Sequence, residues 1–134
     1  MTELADGLFM GNQKHADDHD LLKRYRITHV VNCAGNSKLA ITNPSYPFFK
    51  QQSKDNYNIS AHFMRAIEFL DQSEKEGGRA LVHCNLGVNR SGAIVAAFLM
   101  NRYKMNLLRT IDYLKRKRTV VLSNRGFRKQ LVKF

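Results

Sequence analysis

Apolar positions along this chain follow two rhythms, one continuous and one helical. Near-continuous apolar runs at 27–33 and at 80–82 predict strands buried on both faces. Helical spacing comes between and after them. Leu21, Leu22 and Tyr25 place a short helix over 17–25 with those three side chains inward. Phe63, Ile67 and Leu70 form one stripe, with Met64 and Ala66 beside it, predicting an amphipathic helix capped by Asn58 or Ser60 and stopped by Gly77 and Gly78. An apolar run over 91–103 and a second pattern of Leu107, Leu108, Ile111 and Leu114 predict two further helices. The polar stretch 35–47 carries both prolines and reads as a connector. Strands alternating with helices imply an α/β fold, a mainly parallel central sheet flanked by helices. With 134 residues, 1–134 forms a single domain around one core.

Composition adds little until charge is mapped along the chain. At 43% hydrophobic and 25% charged, it describes an ordinary globular domain. No apolar run reaches the ~18–20 residues a membrane span needs. Residues 1–6 lack a basic apolar leader, so nothing points to secretion. The net charge of +11 is uneven: residues 1–76 hold nine Lys/Arg against ten Asp/Glu, and residues 77–134 hold thirteen against one, Asp112. The second half therefore attracts anions, and phosphoprotein, phosphoinositide and RNA all qualify. The run Lys115, Arg116, Lys117, Arg118 closes a helical pattern and reads first as a solvated helix end; docking of an acidic partner or a phosphate-rich surface is the sharper reading.

Two cysteines, Cys33 and Cys84, make neither a disulfide framework nor a zinc site, and no metal is expected. Cys84 stands out by its context. The strand at 80–82 delivers it into a short loop, Asn85, Leu86, Gly87, Val88 and Asn89, and Arg90 and Ser91 follow at the start of the next helix. A tight loop between strand and helix turns backbone N–H groups toward one point at the helix N-terminus, which binds oxyanions. Gly87 gives room for the backbone to approach a ligand, and Arg90 adds a planar fork suited to phosphate. Helix N-termini and nearby cations lower a thiol from about 8.5 to roughly 3.5–7.5. Lowering it by ~3 units needs about 4 kcal/mol, and a helix terminus supplies at most ~2 kcal/mol, so the loop amides and Arg90 share the work. The Ser91 hydroxyl is placed to hydrogen-bond the thiolate and ease its departure, while His83 buttresses the loop. A buried structural cysteine beside a surface arginine is the plainer alternative. A chance match to His, Cys, Arg and Ser at this spacing is on the order of one in a thousand for residues at ~5% each.

The pattern His-Cys-x5-Arg-Ser, His83 to Ser91, resembles the signature of the cysteine-dependent protein tyrosine phosphatases, and the short chain resembles their dual-specificity branch. Residues 7–11 are similar to that branch's opening strand, 27–32 to its next strand, and Gly126 and Phe127 through Gln130 and Leu131 to its closing helix. The resemblance implies hydrolysis of phosphotyrosine and phosphoserine or phosphothreonine through a phosphocysteine on Cys84, without metal or organic cofactor. It implies an aspartate general acid upstream of the amphipathic helix. Asp55 is the acidic residue available between Asp20 and Glu68, in a loop two residues shorter than usual. Asn124 matches a loop-supporting asparagine, with Ser123 where relatives often carry proline. The resemblance also offers Cys33 as a redox partner for Cys84, against the plainer reading of a small buried strand residue. A reactive thiolate implies a reducing compartment, cytoplasm or nucleus. Three alternatives stand beside protein phosphatase activity. A phosphoinositide phosphatase would usually place basic residues in the loop, where this chain has Asn85, Leu86, Val88 and Asn89. An RNA 5′-triphosphatase shares the Cys-x5-Arg loop and suits the charge, so nucleic acid ranks behind phosphoprotein. A catalytically weak phosphate-binding module follows if Asp55 is misplaced.

Overall fold

The computed structural model describes residues 1–33, 63–84, 90–117 and 125–134. Its elements run β1 (Thr2–Ala5), β2 (Leu8–Gly11), α1 (Gln13–Asp17), α2 (His19–Arg24), β3 (His29–Asn32), α3 (Phe63–Lys75), β4 (Ala80–His83), α4 (Arg90–Tyr103), α5 (Leu107–Lys117) and α6 (Arg125–Lys133). The sheet order is β1-β2-β4-β3. β4 is flanked in parallel by β2, with Leu8 opposite Ala80, and by β3, with His29 opposite Ala80. Such a central strand is buried on both faces, which is why every residue of β4 is apolar or inaccessible.

The sheet is mixed rather than all parallel. β1 adds an antiparallel edge strand through the turn at Asp6 and Gly7, where Gly7 takes φ +76°. Asp-Gly between apolar segments is a hairpin signal that the apolar pattern alone passes over.

Alternation along the strands separates two cores. Leu8, Met10, Val31, Ala80 and Val82 face one side with Cys33 and Cys84, and there α3, α4 and α6 close over them. Phe9, Val30 and Leu81 face the other with Ala16, Leu22 and Ile27. α4 is the hub: its residues from Arg90 to Leu99 are all buried, and it packs on α3, α5, α6, β4 and β2.

The structure adds one helix and turns two apolar side chains outward. The helix expected over 17–25 is α2, with Asp18 capping it through Leu21 N–H at 3.0 Å and Tyr25 closing it; α1, which the apolar spacing does not mark, precedes it and ends at the same Asp18. Asn12 caps α1 in a reciprocal box with His15. Of the three inward residues, Leu22 is buried and Leu21 and Tyr25 are half-buried. Met64 is 53% exposed, since one step along a helix turns it about 100° away from Phe63. Leu108 is 80% exposed for the same reason, leaving Leu107, Ile111 and Leu114 to pack.

The stop at Gly77 and Gly78 is a Schellman motif, with Gly77 N–H donating to Glu74 C=O at 3.1 Å and Gly78 N–H to Ser73 C=O at 2.8 Å. A side chain at Gly78 would meet Thr28 Oγ1 at 2.7 Å, so only glycine lets the chain enter β4 beside β3. The connector 35–47 and the caps Asn58 and Ser60 lie outside the described residues.

Candidate active site

Cys84 emerges from the carboxyl end of β4, and α4 begins six residues later at Arg90. Ligands in open α/β sheets bind beyond the carboxyl ends of the strands, and this edge holds the sequence's reactive candidates. Cys84 is 3% exposed and Ser91 fully buried; Cys84 Sγ lies 3.5 Å from Ser91 Oγ, within hydrogen-bonding reach for a sulfur. Arg90 is 6% exposed, a cation held inside by the opening turn of α4. Burying an arginine without an anion is costly, so its placement favours an anionic guest.

Cys33 joins this cluster from the neighbouring strand. Its backbone N–H donates to His83 C=O at 2.8 Å, continuing the parallel β3–β4 ladder one step to the level of Cys84. Burial pushes the Cys33 thiol well up, the nearby Cys84 adds to this, and Arg90 opposes it. Both cysteines are free thiols.

His83 points to the opposite face of the sheet from Cys84, as strand alternation requires, toward the side covered by α1. It is fully buried, and among the described residues neither ring nitrogen has a hydrogen-bond partner. Burial lowers its pKa to about 4, with the Asp17 carboxylate and the Cys84 backbone pulling the other way. A neutral imidazole beneath the strand end fits a buttress. The approach of Asp17 leaves no local signal in the sequence, because it depends on how α1 packs on β4.

Asp55, Asn124 and the loop Asn85, Leu86, Gly87, Val88 and Asn89 lie outside the described residues, as does Arg118. Lys115, Arg116 and Lys117 are exposed at the end of α5, where Arg116 pairs with Asp112 at 3.0 Å. Among the described residues no cluster of three or more His, Cys, Asp or Glu is placed to hold a metal ion, and no helix is long and apolar enough to cross a membrane.

A thiol at the end of a central parallel strand, a buried arginine opening the next helix and a hydroxyl beside the sulfur thus meet at the carboxyl edge of the sheet. Residues 8–134 match the family model of the dual specificity phosphatase catalytic domain, and the chain belongs to that family. It is 34% identical over 131 residues to dual specificity protein phosphatase 1 of Arabidopsis thaliana, covering 96% of this chain and 65% of that protein. It is 33% identical over 134 residues to dual specificity protein phosphatase 22-A of Danio rerio, covering 100% of this chain and 64% of that one. The chain thus spans just under two thirds of the length of these relatives. Among solved structures it is similar to that of DUSP15, with a TM-score of 0.93 and 30% identity, covering 100% of this chain and 86% of that chain.

Proposed function

We propose that this protein hydrolyses phosphotyrosine and phosphoserine or phosphothreonine in proteins by two in-line displacements at phosphorus. In the first, the Cys84 thiolate attacks phosphorus, the bond to the leaving oxygen breaks, and Asp55 protonates that oxygen. In the second, Asp55 takes a proton from water, the water oxygen bonds to phosphorus, and the Cys84 thiolate departs with a hydrogen bond from Ser91. Arg90 and the backbone amides of Asn85, Leu86, Gly87, Val88 and Asn89 hold the equatorial oxygens. His83 and Asn124 support the loop. Cys33 serves as the thiol that captures an oxidised Cys84. The work is done in a reducing compartment, cytoplasm or nucleus.

The observation that carries this reading is the 3.5 Å approach of Ser91 Oγ to Cys84 Sγ beside buried Arg90. A structural core cysteine has no need of a hydroxyl and a cation around it. Cys84→Ser is expected to abolish turnover while retaining phosphate binding, and retained activity refutes the mechanism. Initial rates on a phosphotyrosine peptide, a phosphothreonine peptide, a phosphoinositide and triphosphate RNA at matched salt test the substrate class. Either of the last two as best substrate replaces it.

A further inference from the structure

At the end of the domain opposite Cys84, β1, the C-terminal turn of α4 and the start of α5 enclose a cleft of about 480 Å³. Its apolar wall is Leu99, Met105, Tyr103 and Tyr113, and Arg109 and Asp6 also line it. Leu8 pairs with Ala80, four residues before Cys84, so the sheet edge beside this cleft is about 13 Å along the strands from the thiol. This places it outside the catalytic site.

The cleft has a neighbour. A second hollow of about 270 Å³ shares Ala5, Asp6 and Tyr103 with it and runs on past Ser73 and Arg79. Its size falls in the range that accepts a bulky side chain, and methionine and tyrosine walls adapt to varied apolar shapes. Ion pairing accounts for part of the charge around it. Arg102 is neutralised by Glu74 at 3.0 Å and Arg116 by Asp112 at 3.0 Å. That leaves Arg109 in the lining, Lys117 with its ammonium 5.7 Å over the Tyr113 ring, and Lys104 between Tyr103 and Met105 in the chain. Against these stands Asp6. Tyr113 is itself fixed, its hydroxyl donating to Leu4 C=O, so this wall is already formed.

From this geometry we propose that the cleft docks an acidic segment of a protein partner, one aromatic or large aliphatic side chain seated between Tyr103, Met105 and Tyr113. Its carboxylates meet Arg109, Lys104 and Lys117. Asp6 repels carboxylates and so favours them on the cations. A purely apolar partner leaves three cations unmatched, and a purely acidic one leaves the apolar wall unfilled.

Fluorescence anisotropy with a labelled synthetic peptide of glutamates around a single phenylalanine tests this on the whole protein. Saturable binding is expected, weakened about 10-fold or more by Arg109→Glu, the loss of one charge-assisted contact and its reversal. Met105→Gln is expected to weaken it by a smaller factor, and replacing the peptide's phenylalanine with glycine to weaken it comparably to Arg109→Glu. Inorganic phosphate at constant ionic strength is expected to leave binding unchanged. Arg109 is exposed, so Arg109→Glu is expected to keep the wild-type thermal melt. Four results each overturn the proposal: no saturable binding, equal affinity for the glycine peptide, indifference to Arg109→Glu, or competition by phosphate. Displacement of the peptide by phosphatidylserine vesicles, lost in Arg109→Glu, would assign the face to a lipid surface instead.

Discussion

His83 makes the domain sensitive to acid in a way that can be calculated. Its imidazole is buried under β4 and held neutral, with a pKa lowered to about 4 from 6.5. The unfolded chain therefore binds a proton that the folded chain refuses between those values. Where the unfolded state binds more protons, stability rises with pH. His83's neutral form is thus fully favourable above pH ~6.5, and stability is lost as pH falls toward ~4, below which the loss levels off. With these values the linkage gives a loss of about 2 kcal/mol between pH 7 and pH 5, and a limit of about 3 kcal/mol at lower pH. Carboxylates titrate in the same interval, so the comparison is with His83→Gln, which cannot titrate. Urea unfolding of both proteins at pH 7, 6 and 5 isolates the difference. The wild type is expected to lose about 2 kcal/mol more than the variant over this span. If Gln disturbs the fold, the imidazole resonances of the wild type give the same answer directly. Parallel pH dependence in the two proteins, or a His83 titration near 6.5, refutes the reasoning.

Asp55→Asn is expected to slow release of poor aryl leaving groups by about 10²–10⁴-fold and good ones far less, and equal losses would remove Asp55 from the mechanism. Ser91→Ala should slow hydrolysis of the phosphocysteine by roughly 10–100-fold, the worth of a hydrogen bond to a charged group, and show as a burst of alcohol in stopped flow. No burst together with unchanged steady-state turnover argues against the 3.5 Å contact acting in the second step. Mild peroxide should convert Cys84 to a sulfenic acid that condenses with Cys33, losing water, because adjacent parallel strands lie about 4.8 Å apart, within disulfide reach. Peptide mapping that finds Cys84 oxidised and Cys33 still free rejects that pairing. Ile94→Ala, at a fully buried position of α4, should cost about 2–5 kcal/mol in equilibrium unfolding.

Much of this architecture was legible without coordinates because its signals are local. Continuous apolar runs mark β3 and β4, the spacing of Phe63, Ile67 and Leu70 marks α3, and paired glycines mark where α3 must stop. Helix α1 was written in its cap Asn12, but with Ala16 as its buried residue it offers no apolar stripe to read. Met64 and Leu108 misled because hydrophobicity says what a residue tolerates, and only the facing elements say which side of a helix is covered.

The sequence by itself determined the order of elements and the identity of the reactive group: a strand ending in Cys84, then Arg90 and Ser91 at the head of a helix. Those are properties of neighbours in the chain, set by periodicity and turn chemistry. Tertiary structure alone decided that Asp17 approaches His83 and that Ala5, Leu99 and Tyr113 enclose one cleft. These juxtapositions join residues far apart in the chain, and they follow from strand register and helix packing, which bury a shared surface that no single segment can complete.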